Sequence, residues 1–204
     1  MKPKRAPKRP AEERKRIILE SAQEAFASGG YAQVGTGDVA RAAGVSSPAL
    51  YRYFPSKRDL YLATLRAAGP KLLAHWEHTA EETDDPLRTI REIGMAYYDH
   101  VQGRAPVMGI WFQALAEAGD AEVREQLATS FTAAIDLLER NLDEGKARGM
   151  VRTDVDSRVA AWHFMAIGLT FDLVHRLDLQ GELDREAVEA WGELYIDSIR
   201  EAGA

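Results

Sequence analysis

The side chains of this 204-residue chain that could do chemistry are mostly basic ones near its N-terminus. Residues 1–60 hold 12 Lys and Arg against 6 Asp and Glu, whereas residues 61–204 hold 14 against 26. The net charge of −6 therefore hides a basic segment followed by an acidic remainder. Because a polyanion attracts the first and repels the second, the pattern predicts contact with nucleic acid through the N-terminal residues.

Residues suited to catalysis or metal binding are sparse. The chain has no cysteine, which excludes disulfides, thiolate zinc sites and a cysteine nucleophile. His75 and His78 share a spacing that could bind a metal, but no third ligand accompanies them. No glycine-rich phosphate loop, serine-hydrolase elbow or zinc-protease histidine motif is present. We therefore expect neither an enzyme nor a bound metal or cofactor.

Residues 36–54, TGDVARAAGVSSPALYRYF, have the spacing of a helix-turn-helix. Ala40 is small where two helices would cross, and Gly44 can adopt the positive φ of the turn. Val39, Val45 and Leu50 would fill a small core, which leaves the second helix short and exposed.

The elements around this motif are all predicted to be helices, because no stretch alternates as a strand does. The fold class is therefore all-α, with about nine helices at residues 12–28, 35–43, 47–53, 56–82, 86–101, 106–119, 120–148, 156–177 and 184–201. Gly69-Pro70 predicts a kink or a break in the fourth helix. We divide the chain into a flexible basic arm (1–11), a DNA-binding domain (12–55) and a second helical domain (56–204). No apolar run approaches the roughly 18 residues of a membrane helix and no signal peptide is recognised, so we expect a cytoplasmic protein.

Residues 16–65 resemble the TetR family of transcriptional regulators. The matching residues are Gly30-Tyr31, Val39-Ala40, Ala43-Gly44-Val45-Ser46, Leu50-Tyr51-Arg52-Tyr53-Phe54 and Ser56-Lys57, with Leu60 beyond them. The resemblance implies a homodimer that binds a palindromic double-stranded DNA operator. It also implies repression that is released by a small-molecule effector bound in the C-terminal domain.

The resemblance implies that the short helix at 47–53 reads DNA. The implied DNA-binding residues are Thr36, Ser46, Ser47, Pro48, Ala49, Tyr51, Arg52 and Lys57. Arg52 would contact a guanine edge and Tyr51 a phosphate, while Thr36 and Lys57 would hold the backbone. Two glycines, Gly35 and Gly37, depart from the family pattern and predict a loosely wound or late-starting second helix.

A mostly apolar cavity is expected in the C-terminal domain, with an apolar or aromatic effector. Its expected lining residues are Trp76, Tyr97, His100, Met108, Trp111, Phe112, His163 and Phe171. Asp99 and Asp172 could pair with a cationic ligand, but we expect both on the solvated surface. Asp172 has Arg176 one helical turn later, and Asp99 lies off the apolar face of its helix.

The last two predicted helices are apolar over more than one face, which favours a dimer interface. The expected interface residues are Trp162, Ala166, Val174, Trp191 and Tyr195. Two alternatives stay open: an architectural DNA-binding protein that responds to no ligand, and a helical enzyme domain with a DNA-binding head. Affinity that is nearly equal on all sequences would favour the first, and turnover would favour the second.

Overall fold

A computed structural model describes residues 10–102 and 109–203, and its architecture confirms the all-α prediction. The described residues form nine α-helices: α1 (Ala11–Gln33), α2 (Thr36–Ala42), α3 (Ser47–Tyr51), α4 (Lys57–Glu82), α5 (Pro86–Gln102), α6 (Gly109–Ala114), α7 (Ala121–Ala147), α8 (Ser157–Arg176) and α9 (Arg185–Ile199). A short 3-10 turn, Leu115–Glu117, follows α6. None of these helices is long and apolar enough to cross a membrane.

Several of the helices begin at a side chain that caps them. Ser56, Asp120, Asp156 and Asp184 each accept a hydrogen bond from a backbone N–H in the first turn of the helix that follows. Such a cap satisfies one of the N–H groups that have no partner within the helix. The sequence predicted all four caps, and the helices begin within one residue of the expected positions.

Helix α1 is longer than predicted. Gly30 has φ 67° and ψ 174°, so the helical conformation is interrupted near the expected end, but a further turn continues to Gln33. Helix α3 is two residues shorter than predicted and ends at Tyr51. The predicted helix start near Pro106 lies outside the described residues.

Of the kink or break expected at Gly69-Pro70, the break does not occur, since α4 runs continuously from Lys57 to Glu82. Pro70 is exposed. The free-energy cost of a proline inside the helix is offset because the residues on both sides of it pack into the core. Leu65 and Leu72 are buried there. Gly69 lies where α4 crosses α7, and a β-carbon on it would come within 2.8 Å of Ser130 Oγ. Tertiary packing therefore overrides the local signal for a break.

Helix α4 connects the N-terminal helices to the rest of the molecule. It packs against α1 on one side and against α7 on the other, and α7 packs in turn against α8. Phe26, Tyr61, Leu65, Ile135 and Leu138 are buried along this line of contacts. A continuous apolar core consequently joins the two parts of the chain.

Candidate DNA interface and ligand cavity

Helices α2 and α3 form the helix-turn-helix that the sequence predicts. Gly44 adopts φ 67° in the turn between them, and the Val45 N–H donates to the Ala40 carbonyl at 2.9 Å. Val39 and Leu50 are fully buried between the helices. The motif thus has its own small core, which fixes α3 relative to α2.

Helix α3 presents polar side chains on an exposed surface. Ser46, Ser47, Pro48, Tyr51 and Arg52 are exposed, and Ala49 is half-buried. The Arg52 side chain forms no hydrogen bond or ion pair with any residue that the structure describes. Its guanidinium is therefore available for an external acceptor such as a base edge or a phosphate.

Two predicted backbone contacts are also structural links. The hydroxyl groups of Tyr51 and Thr36 lie 2.8 Å apart and join α3 to the first residue of α2. Lys57 Nζ donates to the Ala32 carbonyl at 3.3 Å and lies 4.7 Å from the ring centroid of Tyr31. Thr36 and Lys57 are half-buried, so each has a structural role beside any role in DNA binding. Helix α2 begins at Thr36, directly after Gly35.

An ion pair joins the first turn of α4 to the start of α7. The Arg58 guanidinium donates to both carboxylate oxygens of Asp120 at 3.0 Å, and to Glu122 at 3.0 Å. These bonds from Arg58 are the main reason why the pKa of Asp120 is lowered from its usual 3.8. The sequence offered no signal for this contact, because its partners are 62 positions apart.

A cavity of about 310 Å³ lies among the helices of the C-terminal domain. Helices α4 to α9 contribute to its wall, and its aromatic lining residues are Trp76, Tyr97, Trp111, Phe112, Phe131, Phe164, Phe171 and Tyr195. Five of the eight residues expected to bind an effector line it, namely Trp76, Tyr97, Trp111, Phe112 and Phe171. Contact of these residues with a ligand stays a prediction.

The other expected ligand-binding residues do not line the cavity in the described part of the chain. His163 is exposed, and its ring packs edge-on against Tyr195 with centroids 5.2 Å apart, so its expected place in the cavity is corrected. Met108 and the side chain of His100 lie outside the described residues.

Asp172 corrects the sequence prediction most clearly, because it is buried instead of solvated. Its side chain lines the cavity, only 5% of the residue is exposed, and it accepts a short hydrogen bond from the Tyr97 hydroxyl. Burial, together with the neighbouring Asp172 charge, raises the pKa of Tyr97 well above 10. The missed signal was helical spacing, since Phe164, Gly168 and Asp172 recur every four residues on one face.

Ion pairs surround the outer part of the cavity. Arg91 pairs with Glu193, and Arg185 pairs with Asp99 and with Glu189. Four of these residues line the cavity, namely Arg91, Glu193, Arg185 and Glu189. Asp99 is exposed, in agreement with the prediction for that residue.

Helix α6 connects the cavity to α1. Trp111 and Phe112 belong to the cavity wall, whereas Gly109 lies against Ala27 of α1. A β-carbon on Gly109 would lie 3.6 Å from the β-carbon of Ala27, which shows how closely the two helices approach. Helix α6 therefore lies between the cavity and α1.

Helix α8 carries an exposed apolar stripe, formed by Val159, Trp162, Ala166 and Leu173, and Leu177 continues it directly after the helix. Trp162 is 51% exposed, and Leu194 on α9 is 70% exposed. A stripe at this spacing lies on one side of a helix and is costly to leave in water.

The other residues expected at a dimer interface are less exposed. Val174 and Trp191 are half-buried, and Trp191 packs against Phe171 with ring centroids 6.1 Å apart. Tyr195 is only 3% exposed, and its hydroxyl donates to the Ala160 carbonyl at 2.9 Å. Tyr195 therefore packs between α8 and α9 of its own chain, which corrects its expected place at the interface.

An exposed helix-turn-helix on a helical body that encloses an apolar cavity is typical of ligand-responsive DNA-binding proteins. Residues 18–64 match the model of the bacterial regulatory proteins of the tetR family. The chain is 30% identical over 157 residues to the HTH-type transcriptional activator FasR of Mycolicibacterium smegmatis, covering 72% of each protein. The chain belongs to the TetR family and is a DNA-binding transcriptional regulator.

Other similarities agree with this membership. The chain is 22% identical over 143 residues to the fatty acid metabolism regulator protein of Bacillus subtilis, covering 70% of this chain and 73% of that protein. A TetR-family regulator from Agrobacterium tumefaciens has the same fold, with a TM-score of 0.79 at 19% identity, over 93% of this chain and 98% of the other. The family consists of regulators, which confirms the expectation that the chain is not an enzyme.

Proposed function

We propose that this regulator represses transcription from a palindromic operator and is released when a small apolar or aromatic effector enters the cavity. Residues 12–55 bind the DNA, and residues 56–204 bind the effector and form the homodimer. We also propose a cytoplasmic location, because that is where operator DNA is found in bacteria. The observation that carries the proposal is the exposed α3, with Arg52 unengaged within the described chain.

Helix α3 supports sequence-specific binding. A guanidinium can bind both O6 and N7 of one guanine in the major groove, where each good contact discriminates by about 1–3 kcal/mol. Lys57, beside the motif, is suited to a phosphate contact, which adds affinity without sequence preference. The two side chains therefore predict different phenotypes.

The proposed homodimer uses the exposed stripe on α8 together with Leu194 on α9. A second copy on the same stripe would cover it symmetrically and place two α3 helices on two half-sites. Such a dimer explains why a palindromic operator is expected.

Effector release requires that the ligand binds the two conformations of the dimer with different affinities. The contact of α6 with both the cavity and α1 supports a route from ligand to DNA-binding helices. By linkage, the ligand must weaken DNA binding by the same factor by which DNA weakens ligand binding. A regulator that binds DNA only with its ligand would instead show ligand and DNA strengthening each other's binding.

The test is fluorescence anisotropy on DNA from beside the protein's own gene and on a scrambled duplex at near-physiological salt. We expect a preference of about a thousandfold or more for the cognate DNA. Arg52→Ala should reduce this preference, whereas Lys57→Ala should weaken both duplexes alike and lower the salt slope by about one.

Arg140→Ala is the matched control for these variants, because Arg140 is an exposed arginine on α7. Equal losses on both duplexes for Arg52→Ala would contradict its role at base edges. Weak and equal binding of the unmodified protein to several candidate operators would favour the architectural, ligand-independent alternative.

A further inference from the structure

The cavity reaches the molecular surface between α5 and α9. Among its described lining residues, the exposed ones are Arg91 of α5 and Arg185 and Glu189 of α9, and the others are buried or half-buried. Exposed residues that also line a cavity mark the place where the cavity and the solvent meet. The described structure therefore has this place on one side of the C-terminal helices, at the edges of α5 and α9.

The opposite part of the wall is closed by packed rings. Helices α4, α6 and α7 contribute Trp76, Trp111, Phe112 and Phe131 to the lining. Trp76 and Trp111 are each only 3% exposed, and the Trp111 and Phe131 rings pack with centroids 5.4 Å apart. A ligand entering through this part would have to displace large side chains from a close-packed core.

Two ion pairs join α5 to α9 at the open side. Arg91 of α5 pairs with Glu193 of α9, and Asp99 of α5 pairs with Arg185 of α9. The residue order is reversed between the helices, so they run antiparallel, and eight residues separate the two pairs on each helix. Eight helical residues span about 12 Å. The Arg185 guanidinium also lies 5.8 Å from the ring centroid of Tyr98 on α5.

Between the two ion pairs, α9 has no side chain at Gly192. This residue lines the cavity, and a β-carbon on it would meet no described atom within 4 Å. Val188 and Ile196, four residues before and after it, are buried and line the same cavity, so this face of α9 is directed inward. A glycine inside a helix weakens the helix, and no close contact requires one here. Gly192 thus leaves open space between the two ion pairs.

The two ion pairs are weak enough to open. All four side chains are about half exposed to solvent, and an ion pair in such a position contributes little net stability. Thermal motion can therefore break both pairs and separate α5 from α9 without unfolding the core. While the pairs are formed, they hold the two helices together beside the cavity.

We propose that the effector enters and leaves the cavity between α5 and α9, and that the ion pairs of Arg91 with Glu193 and of Arg185 with Asp99 form the gate of this entrance. The inference rests on the proposed function, because it takes the cavity as the effector site. It concerns the route and the rate of binding, and the same gate serves any effector that the cavity accepts.

Stopped-flow fluorescence on the full-length protein tests the gate. The probe is N-phenyl-1-naphthylamine, an uncharged apolar dye whose emission rises in apolar surroundings. Arg91→Gln combined with Arg185→Gln should raise both the association and the dissociation rate by about two- to tenfold. The dissociation constant should change little, because one barrier is crossed in both directions. Arg88→Gln combined with Arg152→Gln is the matched control, since both arginines form exposed ion pairs and neither lines the cavity.

Salt provides a second measurement on the same proteins. Because salt screens exposed charges, both rates of the unmodified protein should rise between about 0.05 M and 0.5 M sodium chloride. The variant without Arg91 and Arg185 should lose most of this rise, whereas the control variant should keep it.

Gly192→Leu tests the entrance from the opposite direction. A leucine at this position would occupy the open space and should slow association and dissociation by about tenfold or more. The fold should remain at least as stable, because leucine favours helix over glycine. Gly37→Leu is the matched control, since Gly37 is also a helical glycine with no described atom within 4 Å of its β-carbon position, and it lies away from the cavity.

Unchanged rates in either gate variant overturn the inference, and so does a dye that fails to bind the unmodified protein. A weaker affinity of Gly192→Leu with an unchanged association rate also overturns it, because Gly192 would then belong to the wall alone. The arginine variant decides the matter if Gly192→Leu fails to fold. Operator anisotropy with and without the dye tests effector release separately. A dye that passes the gate but leaves the operator bound contradicts release by this dye and leaves the entrance in place.

Discussion

At the scale of single residues, the Asp120 side chain both caps a helix and forms an ion pair. Its carboxylate accepts bonds from the N–H groups of Glu122 and Val123 and so caps α7. The same carboxylate holds Arg58 from the first turn of α4. One side chain therefore fixes the DNA-proximal end of α4 relative to the C-terminal helices.

The lowered pKa of Asp120 predicts how its ion pair responds to acid. A carboxyl whose pKa is lower in the folded state stabilises the fold above its unfolded pKa of 3.8, and this contribution is lost as the pH falls through the lower folded pKa. Asp120→Asn keeps a good helix cap but removes the charge. We expect the variant to unfold at a lower temperature than the unmodified protein above about pH 5, and the difference to shrink progressively below pH 3.8.

Thermal unfolding followed by circular dichroism between neutral and acidic pH measures this difference. Asp184→Asn is the matched control, because Asp184 caps α9 through the Ala187 N–H and has no ion pair among the described residues. A constant difference between Asp120→Asn and the unmodified protein at every pH would contradict the role of the ion pair.

Residues with local signals were predicted well, and residues with distant partners were not. The caps Asp120, Asp156 and Asp184 were predictable because a cap interacts with the next three residues. The partner of Asp120 was not, since Arg58 precedes it by 62 positions. Asp172 was misjudged for a related reason: packing of α5 against α8 decides which face of α8 is buried, and the spacing to Arg176 does not.

At the scale of elements, helices approach closely where one of them has a glycine, which carries no β-carbon. A β-carbon on Gly145, near the end of α7, would lie 2.6 Å from Val151 Cγ2 and 3.4 Å from Pro86 Cβ. Val151 is fully buried, and a β-branched side chain has little rotational freedom. The end of α7, the start of α5 and the chain before α8 thus meet at one point that admits no larger residue.

Gly145→Ala should therefore destabilise the protein by about 1–3 kcal/mol through overpacking. Gly37→Ala is the control, because a β-carbon on this exposed residue of α2 meets nothing within 4 Å. That change should stabilise the protein by up to about 1 kcal/mol, because alanine favours helix. Urea unfolding measures both values, and Val151→Ala in the Gly145→Ala background should recover part of the loss. Equal stability of Gly145→Ala and the unmodified protein would contradict the tight contact.

Helix starts were easier to predict than helix interiors. Most starts carry a polar cap or a proline, so the sequence placed them within one residue in α4 and in α7 to α9. The unbroken course of α4 through Pro70 could not be predicted, because it depends on core contacts made by distant residues. The aromatic composition of the cavity was predictable from the abundance of rings on the middle helices, whereas its polar groups were not.

At the scale of the whole molecule, the exposed stripe on α8 makes the oligomeric state testable. Trp162→Asp and Leu194→Asp place a charge on the apolar surface that we propose as the dimer interface, which should convert a dimer to a monomer. Loss of the second α3 should lower operator affinity by about a hundredfold or more, since both half-sites are no longer bound together. Light scattering after size-exclusion chromatography gives the mass, and anisotropy gives the affinity.

Leu115→Asp is the matched control for these variants, because Leu115 is an exposed leucine in the 3-10 turn, away from α8 and α9. It should leave both mass and affinity unchanged. A dimer that persists in both interface variants would contradict the proposed surface. The all-α class was predictable at this scale from the helical layout, but the burial of Tyr195 within its own chain was not, because it depends on how α8 and α9 turn toward each other.

The opposite charges of the two parts of the chain also affect how the protein approaches its target. Twelve basic residues against six acidic ones in the first 60 positions, followed by an acidic excess, separate positive from negative charge along the sequence, from which we expect an electric dipole. In the field of a duplex, this dipole turns the basic end forward before contact, so a larger fraction of collisions begins in a productive orientation. Salt screens this torque over about 10 Å at 0.1 M. The dipole therefore governs the time needed to find an operator, apart from how long the complex lasts.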